Sequence, residues 1–192
     1  MISIHPKTKA LIFDCDGTII DSIKMHNDAW YTIANRYKIK ITNQDLINNN
    51  GLPTKEILQE VTKKSSKNFD IEEIVKEKDN LTEKNMKKIV PIKPIVDLIK
   101  NSVNKLTMVV ISGSSEKHVF QALKALNIIN YFKFIITADT NHPKKNTTEA
   151  FTLIAKKLNV ECEECHVFED GKAGLINSIK ANMRVTDMRT IK

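Results

Sequence analysis

Five short apolar runs rich in β-branched residues constrain the fold more than any other feature of this sequence. Unbroken runs of this kind suit strands that are buried on both faces of a parallel sheet, whereas a half-exposed strand alternates apolar and polar residues. The predicted strands are Ala10–Phe13, Thr107–Ile111, Phe134–Thr137, His166–Phe168 and Arg184–Thr186.

Helical patterns separate several of these strands. Apolar residues recur at spacings of three and four in two clear stripes, one formed by Val119, Ala122, Leu123 and Leu126, the other by Phe151, Ile154, Ala155 and Leu158. Such stripes are typical of amphipathic helices that bury one face. Because strands that alternate with helices indicate βαβ units, we predict an α/β protein with a Rossmann-like, three-layer core around a parallel sheet.

Residues 21–89 break this alternation, because they contain helical stripes and no convincing strand. The stripes begin at Trp30, Ile57 and Ile71. We therefore predict that residues 1–20 and 90–192 form the α/β core, and that residues 21–89 form a small inserted helical cap. Ligands of open α/β sheets bind at the carboxyl ends of the strands. A cap that leaves the core at this edge would cover the binding site.

Composition narrows the class of protein. The chain has 192 residues, of which 41% are hydrophobic and 28% charged, as expected for a soluble globular protein. Its formal net charge is +7, but the lysines are spread along the chain and are not interleaved with aromatic residues, which argues against nucleic-acid binding. No apolar run approaches the roughly 20 residues that span a bilayer. We expect a cytoplasmic protein that binds no membrane and is a monomer.

The cysteines support the same compartment. There are three of them, and an odd number without an apolar secretory signal in residues 1–9 indicates a reducing environment. Cys162 and Cys165 have the spacing of a metal-binding or redox pair, but no second pair accompanies them. We interpret them as ordinary cysteines.

The first predicted strand runs directly into two acidic residues, Asp14 and Asp16. Because side chains alternate along a strand, both can point the same way while Cys15 faces the opposite side. Two carboxylates this close repel each other unless a cation or a proton neutralises them. Gly17 permits the sharp turn that follows. An ordinary buried strand would not end in two acids, so we expect a functional site here.

The run Asp14-Cys15-Asp16-Gly17-Thr18, followed by a helical block, resembles the first motif of the haloacid dehalogenase-like hydrolases. The resemblance covers essentially the whole chain. It implies a phosphohydrolase that acts on a small phosphorylated metabolite, with Mg²⁺ as cofactor. Asp14 would be the nucleophile and Asp16 the general acid and base.

The second and third motifs of this family follow the next two strands. A hydroxyl and free backbone N–H groups at a helix start form a phosphate cradle, which here would be Ser112 and Gly113, with Ser115 as the N-cap of the helix. The third motif is a lysine before a helix, usually followed by proline. Alignment on Phe151 favours Lys145, with Lys144 as the alternative.

Asn146 stands where this family usually has the proline. Asn is a good N-cap residue, and Glu149 follows three positions later, as in a capping box. We therefore expect Asn146 to cap the helix that follows Lys145.

An acidic pair, Glu169 and Asp170, ends the fourth predicted strand and matches the fourth motif. By the resemblance, this pair would bind Mg²⁺ together with the Asp14 carboxylate and the backbone carbonyl of Asp16. Ligation by oxygen atoms and water is what Mg²⁺ prefers.

Positions in the predicted cap resemble the substrate-contacting positions of the β-phosphoglucomutase branch. They are His26, Trp30, the loop from Gly51 to Thr54, and Lys78. The apolar stripe that begins at Ile71 predicts an apolar residue at position 78. A lysine there either faces the cleft or extends its ammonium to solvent, and we interpret it as a residue that faces the cleft.

The choice between phosphatase and mutase depends on Thr54. β-Phosphoglucomutases have an arginine at the matching position, and threonine cannot reproduce its bidentate grip on a second phosphate. The Gly51-Leu52-Pro53-Thr54 loop instead resembles that of fructose-1-phosphate and 6-phosphogluconate phosphatases, so we favour hydrolysis of a sugar phosphate or sugar-acid phosphate. A mutase and a catalytically inactive phosphate-binding module on the same fold stay as alternatives.

Overall fold

The computed structural model of the protein describes residues 2–86 and 89–191. Within them the strands form one parallel sheet in the order β3-β2-β1-β4-β5. Their bounds agree with the predicted strands to within one residue at either end, which confirms all five. The strands are β1 Ala10–Phe13, β2 Thr107–Ile111, β3 Phe134–Ile136, β4 Cys165–Glu169 and β5 Arg184–Asp187.

Eight α-helices occupy the described parts of the chain, none of them both long and apolar enough to cross a membrane. Four lie between β1 and β2 before a fifth returns the chain to the sheet. The helices are α1 Ile23–Tyr37, α2 Asn43–Asn48, α3 Thr54–Thr62, α4 Ile71–Asn85, α5 Lys93–Ser102, α6 Glu116–Ala125, α7 Thr148–Leu158 and α8 Lys172–Lys180.

The sheet is buried on both faces, as its apolar strands predict. Leu11 and Phe13 of β1 pack in one hydrophobic cluster with residues of α5 and α6. Ala10 and Ile12 point the other way and pack in a second cluster with residues of α7. All four side chains of β1 are fully buried. This arrangement of helix, sheet and helix confirms the predicted three-layer α/β fold.

Helices α1 to α4 form what we call the helical insertion. They share their own hydrophobic cluster, which includes Trp30, Leu58 and Ile74. The chain enters and leaves the insertion side by side, because the Asp21 N–H donates to the Val90 carbonyl at 2.8 Å. The helical nature of this segment is therefore confirmed. The exact division at residues 21 and 89 stays a prediction, and Lys87 and Lys88 lie outside the described residues.

The prediction that Asn146 caps α7 is wrong. The N-cap is Thr147, whose hydroxyl accepts the Ala150 N–H. Thr147 has the extended backbone that an N-cap requires and lies three residues before that N–H. Asn146 instead donates to Glu56 of α3 at 3.0 Å. The predicted N-cap of α6 is confirmed, because the Ser115 hydroxyl accepts a backbone N–H.

The three cysteines are free thiols. Cys15 is fully buried in the sheet core, and Cys165 is buried within β4. Neither Cys162 nor Cys165 belongs to a potential metal-ligand group among the described residues. The interpretation of Cys162 and Cys165 as ordinary cysteines stays a prediction.

Candidate active site

Parallel strand ends bring three acidic residues together. Asp14 follows β1, while Glu169 ends β4 and Asp170 follows it. One carboxylate oxygen from each of the three lies within 4.8 Å of the others, and all three residues are buried. We call these residues the acidic cluster. Its formation follows from topology, because β1 and β4 are neighbours in the sheet and run in the same direction.

Lys145 provides the positive charge of this cluster. Its ammonium donates to Asp14 Oδ1 at 2.7 Å and to Glu169 Oε2 at 3.0 Å. The ammonium of Lys144 instead donates to the Ala138 carbonyl at 2.7 Å. Of the two lysines that the sequence left open, the structure therefore brings Lys145 to the acidic cluster.

Burial dominates the electrostatics of the acidic cluster. Loss of solvent raises the pKa of Asp14 to about 7, against the opposing effect of Lys145. It also raises the pKa of Glu169 to about 7 and that of Asp170 to about 6. Burial lowers the pKa of Lys145, but the Asp14 and Glu169 carboxylates outweigh it and raise that pKa well above its usual value. Three carboxylates thus face one ammonium.

The donor atoms of the acidic cluster fit a divalent cation. Asp14 Oδ2 and Asp170 Oδ1 are buried and have no hydrogen-bond partner among the described residues. Carboxylate oxygens are the ligands that hard cations prefer. A Cβ atom at Gly17, where φ is +78°, would lie 2.3 Å from Asp170 Oδ2, so only glycine leaves this oxygen its place.

Asp16 lies in different surroundings, although it follows Asp14 by two residues. Its Oδ1 is 2.5 Å from Ser22 Oγ, 2.8 Å from His118 Nε2 and 3.1 Å from His26 Nε2. Its Oδ2 accepts from Ser114 Oγ at 2.6 Å. Burial raises the pKa of Asp16, but the two histidines more than offset this effect and hold that pKa well below its usual value.

Lys78 reaches this second group of residues from the helical insertion. Its side chain is 4% exposed. The ammonium lies 3.0 Å from His26 Nδ1, 3.4 Å from Thr54 Oγ1 and 5.5 Å from the centroid of the Trp30 ring. Burial lowers the pKa of Lys78. The structure therefore places this lysine in the cleft, as its position on an apolar stripe predicts.

A loop of the insertion contacts the acidic cluster directly. Asn50 Nδ2 donates to Asp170 Oδ2 at 2.7 Å. A Cβ atom at Gly51, where φ is +83°, would lie 2.8 Å from Lys145 Nζ, and one at Gly113 would lie 2.4 Å from the Gly51 carbonyl oxygen. Both glycines therefore permit a close approach between the insertion and the strand ends.

A cavity of about 50 Å³ lies between the insertion and the strand ends. Most of the predicted site residues line it. Lys145, Glu169 and Asp170 lie outside its lining, next to Asp14. The predicted residues in its lining are Asp14, Asp16, His26, Trp30, Gly51, Thr54, Lys78, Ser112 and Gly113. All the predicted positions are thus close together.

Sequence reasoning missed several polar residues at this site. Ser22, Asn50, Ser114 and His118 each contact one of the predicted acids. One sequence signal could have indicated His118. It lies next to Val119 at the start of an apolar stripe, where a buried polar side chain requires a partner.

Fold and site together define a class of protein. It is a three-layer α/β protein whose parallel strand ends hold a buried acidic cluster and a lysine beneath a helical insertion. The profile described as haloacid dehalogenase-like hydrolase matches residues 11–188, and the chain belongs to this family. This confirms the family that the motifs indicate. Members of the family generally use a divalent metal.

Relatives from this family match the chain over nearly its whole length. Fructose-1-phosphate phosphatase YqaB of Escherichia coli K12 is 30% identical over 189 residues, covering 98% of this chain and 100% of the relative. β-Phosphoglucomutase of Bacillus subtilis is 27% identical over 184 residues, covering 90% and 79%. The crystal structure of β-phosphoglucomutase from Clostridium difficile superimposes with a TM-score of 0.76 at 26% identity, covering 96% of this chain and 93% of that one.

Proposed function

We propose that this protein is a Mg²⁺-dependent phosphatase that hydrolyses a small sugar phosphate or sugar-acid phosphate through an aspartyl-phosphate. The observation that carries the proposal is the buried Asp14 carboxylate beside the Lys145 ammonium, in a cavity that Ser112 also lines. The relative named fructose-1-phosphate phosphatase, which matches almost the entire chain, supports the substrate class.

Asp14 attacks phosphorus, so that a bond from its carboxylate to phosphorus forms as the bond to the leaving oxygen breaks. Lys145 and Ser112 stabilise the negative charge that develops on the phosphoryl oxygens. Ser112 Oγ accepts the Ser114 N–H at 3.1 Å. The Ser112 hydroxyl proton is therefore available to a phosphoryl oxygen.

Asp14, Glu169, Asp170 and the backbone carbonyl of Asp16 would hold Mg²⁺. When bound, the cation offsets the negative charges of the nucleophile and the phosphoryl group, which otherwise repel each other. The two carboxylate oxygens of the acidic cluster without hydrogen-bond partners support this assignment.

Asp16 transfers protons in both halves of the reaction. It first gives a proton to the leaving oxygen, then takes one from the water that attacks the aspartyl-phosphate. Its four hydrogen-bond donors favour the ionised form, which is the form required of the base. A substrate anion beside Asp16 would disfavour its ionisation, because like charges repel, and would so favour the protonated form required of the acid.

Thr54 favours hydrolysis over the mutase reaction. A mutase must grip a second phosphate, for which arginine supplies a bidentate fork. Thr54 Oγ1 donates to Asp79 Oδ1 at 2.9 Å, and no arginine is among the described residues that line the cavity. The positive charge of the Lys78 ammonium is partly balanced by the Asp79 carboxylate, which lies 3.7 Å away.

Phosphate release from a panel of phosphorylated metabolites tests the proposal. We expect sugar monophosphates to be hydrolysed, with activity lost in EDTA and restored by Mg²⁺. Asp14→Asn should be inactive, while Asp97→Asn, which changes an exposed residue paired with Lys93, should match the wild type. Interconversion of hexose monophosphates that outpaces phosphate release would indicate the mutase, and binding without release would indicate an inactive module.

Three further predictions concern the setting of the enzyme: cytoplasmic location, a monomeric state and the absence of nucleic-acid binding. Mass measurement in solution tests the monomer. A gel shift that disappears with added salt would contradict the third prediction, because salt-sensitive binding is typical of contacts to phosphates.

A further inference from the structure

His118 is a buried histidine to which the mechanism above gives no role beyond favouring the ionised form of Asp16. It lies in the first turn of α6 and is 3% exposed. The Ser115 hydroxyl accepts its backbone N–H, which anchors that turn. Its Nε2 lies 2.8 Å from Asp16 Oδ1. A buried imidazole at this distance from a carboxylate is held there by a charge-assisted hydrogen bond.

The donors around Asp16 are unevenly shared between its two oxygens. Ser22, His26 and His118 all approach Oδ1, whereas Ser114 is the one described residue that contacts Oδ2. A carboxylate oxygen has about two lone-pair sites. Three donors therefore occupy Oδ1 fully, and Oδ2 is the oxygen that keeps capacity for a transferable proton.

The two histidines approach Asp16 from different parts of the molecule. His26 lies on α1 of the helical insertion and contacts Lys78, while His118 lies on α6 beside the sheet. An ammonium only donates, so His26 Nδ1 accepts from Lys78, and His26 Nε2 carries the proton that it shares with Asp16. A protonated Nε2 is no metal ligand, which argues against a metal ion between Asp16 and the histidines.

We propose that His118 is a positioning residue for the phosphatase reaction proposed above. It fixes Oδ1 of Asp16 from the side of the sheet, so that Oδ2 is directed at the leaving oxygen. Oδ2 gives its proton to that oxygen as the bond to phosphorus breaks. It later takes a proton from water as the water oxygen bonds to phosphorus and the bond from phosphorus to Asp14 breaks, which releases phosphate and restores the Asp14 carboxylate. His118 keeps its own proton throughout.

Two variants separate the N–H donor from the bulk of the side chain. His118→Leu introduces an apolar side chain of similar size and so removes the N–H donor. His118→Gln keeps an N–H group at a similar distance from the backbone. Each is compared with the wild type on two substrates: p-nitrophenyl phosphate, and the sugar monophosphate that the wild type hydrolyses fastest in the metabolite panel.

The substrates differ in their need for an acid. An alkoxide leaving group requires a proton, whereas p-nitrophenolate leaves without one. The ratio kcat/KM reports the steps up to loss of the leaving group, so it contains the acid step and excludes the later base step. We expect His118→Leu to lower kcat/KM for the sugar phosphate about 100-fold, within the range of general acid catalysis, and for p-nitrophenyl phosphate less than threefold. His118→Gln should recover most of the loss.

An equal loss on both substrates would overturn the proposal, because a merely structural role lowers both alike. The ratio of the two kcat/KM values from one preparation does not depend on its active fraction, so partial misfolding does not obscure the result. A wild-type protein that hydrolyses neither substrate would overturn the phosphatase function and this inference together. Hydrolysis of both, with an unchanged ratio in His118→Leu, would overturn the inference alone.

Discussion

Asp14 and Asp16 are two residues apart, yet they have opposite surroundings. Asp14 lies among two other carboxylates and one ammonium, and burial raises its pKa to about 7. The Asp16 side chain is 12% exposed, and against the effect of desolvation His118 and His26 hold its pKa well below its usual value. Asp14 is therefore short of positive charge, whereas Asp16 is surrounded by hydrogen-bond donors.

The difference arises from where each residue leaves the sheet. Asp14 directly follows β1, so its neighbours are the ends of the adjacent strand and Lys145 from the loop after β3. Asp16 lies further into the loop and reaches α1 and α6. Two positions along the chain are enough to move a carboxylate from a site suited to a cation to a site suited to proton transfer.

The largest effect should come from changing the two aspartates in turn. Asp14→Asn removes the nucleophile, so we expect turnover of p-nitrophenyl phosphate to fall at least about 10⁴-fold, with no burst of nitrophenolate. Asp16→Asn keeps the nucleophile and lacks the base. It should release about one equivalent of nitrophenolate rapidly and then stall as the aspartyl-phosphate.

Rapid-mixing absorbance measures the release of nitrophenolate by the two variants, and intact-protein mass detects the aspartyl-phosphate. Asp97→Asn controls for the loss of a surface carboxylate. A burst from Asp14→Asn, or steady turnover by Asp16→Asn, would mean that the roles of the two residues are not divided as proposed.

Removal of the Lys145 ammonium from the acidic cluster should come next in size. Lys145→Met leaves the buried carboxylates without their partner, so we expect turnover to fall about 10²- to 10³-fold. Loss of one partner from a buried ion pair should also lower the free energy of unfolding by about 3–5 kcal/mol. Steady-state kinetics and urea denaturation measure the two effects.

Lys144→Met is the matched control, since the Lys144 ammonium contacts only a backbone carbonyl in the described structure. It should keep turnover within a few-fold of the wild type. The reverse result, a severe loss in Lys144→Met and a mild one in Lys145→Met, would identify Lys144 as the catalytic lysine.

The Asp14 side of this comparison could be predicted from the sequence, and most of the Asp16 side could not. The ends of neighbouring parallel strands must meet at one edge of a sheet, so finding the strands also locates Asp14, Ser112 and Asp170. The donors of Asp16 come instead from two helices, through His26 of α1 and His118 of α6, and from the turns that precede these helices, through Ser22 and Ser114. His118 is 102 residues from Asp16, and no local spacing encodes their contact.

Two further residues show what local pattern does and does not contain. Lys78 was predicted because it interrupts an apolar stripe, and a buried amine in such a stripe must face something polar. Thr147 was missed because Asn146 and Thr147 are both good N-cap residues. Which of them caps α7 depends on the turn after Lys145 and on the contact of Asn146 with Glu56, and both belong to the tertiary structure.

Metal binding should distinguish the acidic cluster from the Asp16 side chain by a moderate effect. Mg²⁺ that binds only the folded protein stabilises it by about 2.7 kcal/mol at 100 times its dissociation constant. We expect a corresponding rise in melting temperature in the wild type. Asp16→Asn should show the same rise, because it keeps the backbone carbonyl of residue 16. Asp170→Asn loses a carboxylate of the acidic cluster and should show little rise.

Thermal melts with and without Mg²⁺, at matched ionic strength, measure the effect. An equal rise in Asp170→Asn and the wild type would show that the cation binds elsewhere, and would leave the acidic cluster without its proposed ligand.

The smallest effect should follow loss of one weaker donor to Asp16. Ser22→Ala removes the hydroxyl that lies 2.5 Å from Oδ1. A hydrogen bond of about 1 kcal/mol corresponds to roughly a fivefold loss, which we expect in kcat/KM for the sugar phosphate and not for p-nitrophenyl phosphate. Ser178→Ala, whose buried hydroxyl donates within α8, is the matched control and should leave the ratio of the two values unchanged.

The double variant Ser22→Ala/His118→Leu then tests whether these donors act on one oxygen. Both contact Asp16 Oδ1, so once the first deletion has loosened the hold on that oxygen, the second deletion has less orientation left to remove. The combined loss should therefore be smaller than the product of the two single losses. Losses that multiply would mean that Ser22 and His118 act independently, and that Oδ1 is not the shared point through which Asp16 is oriented.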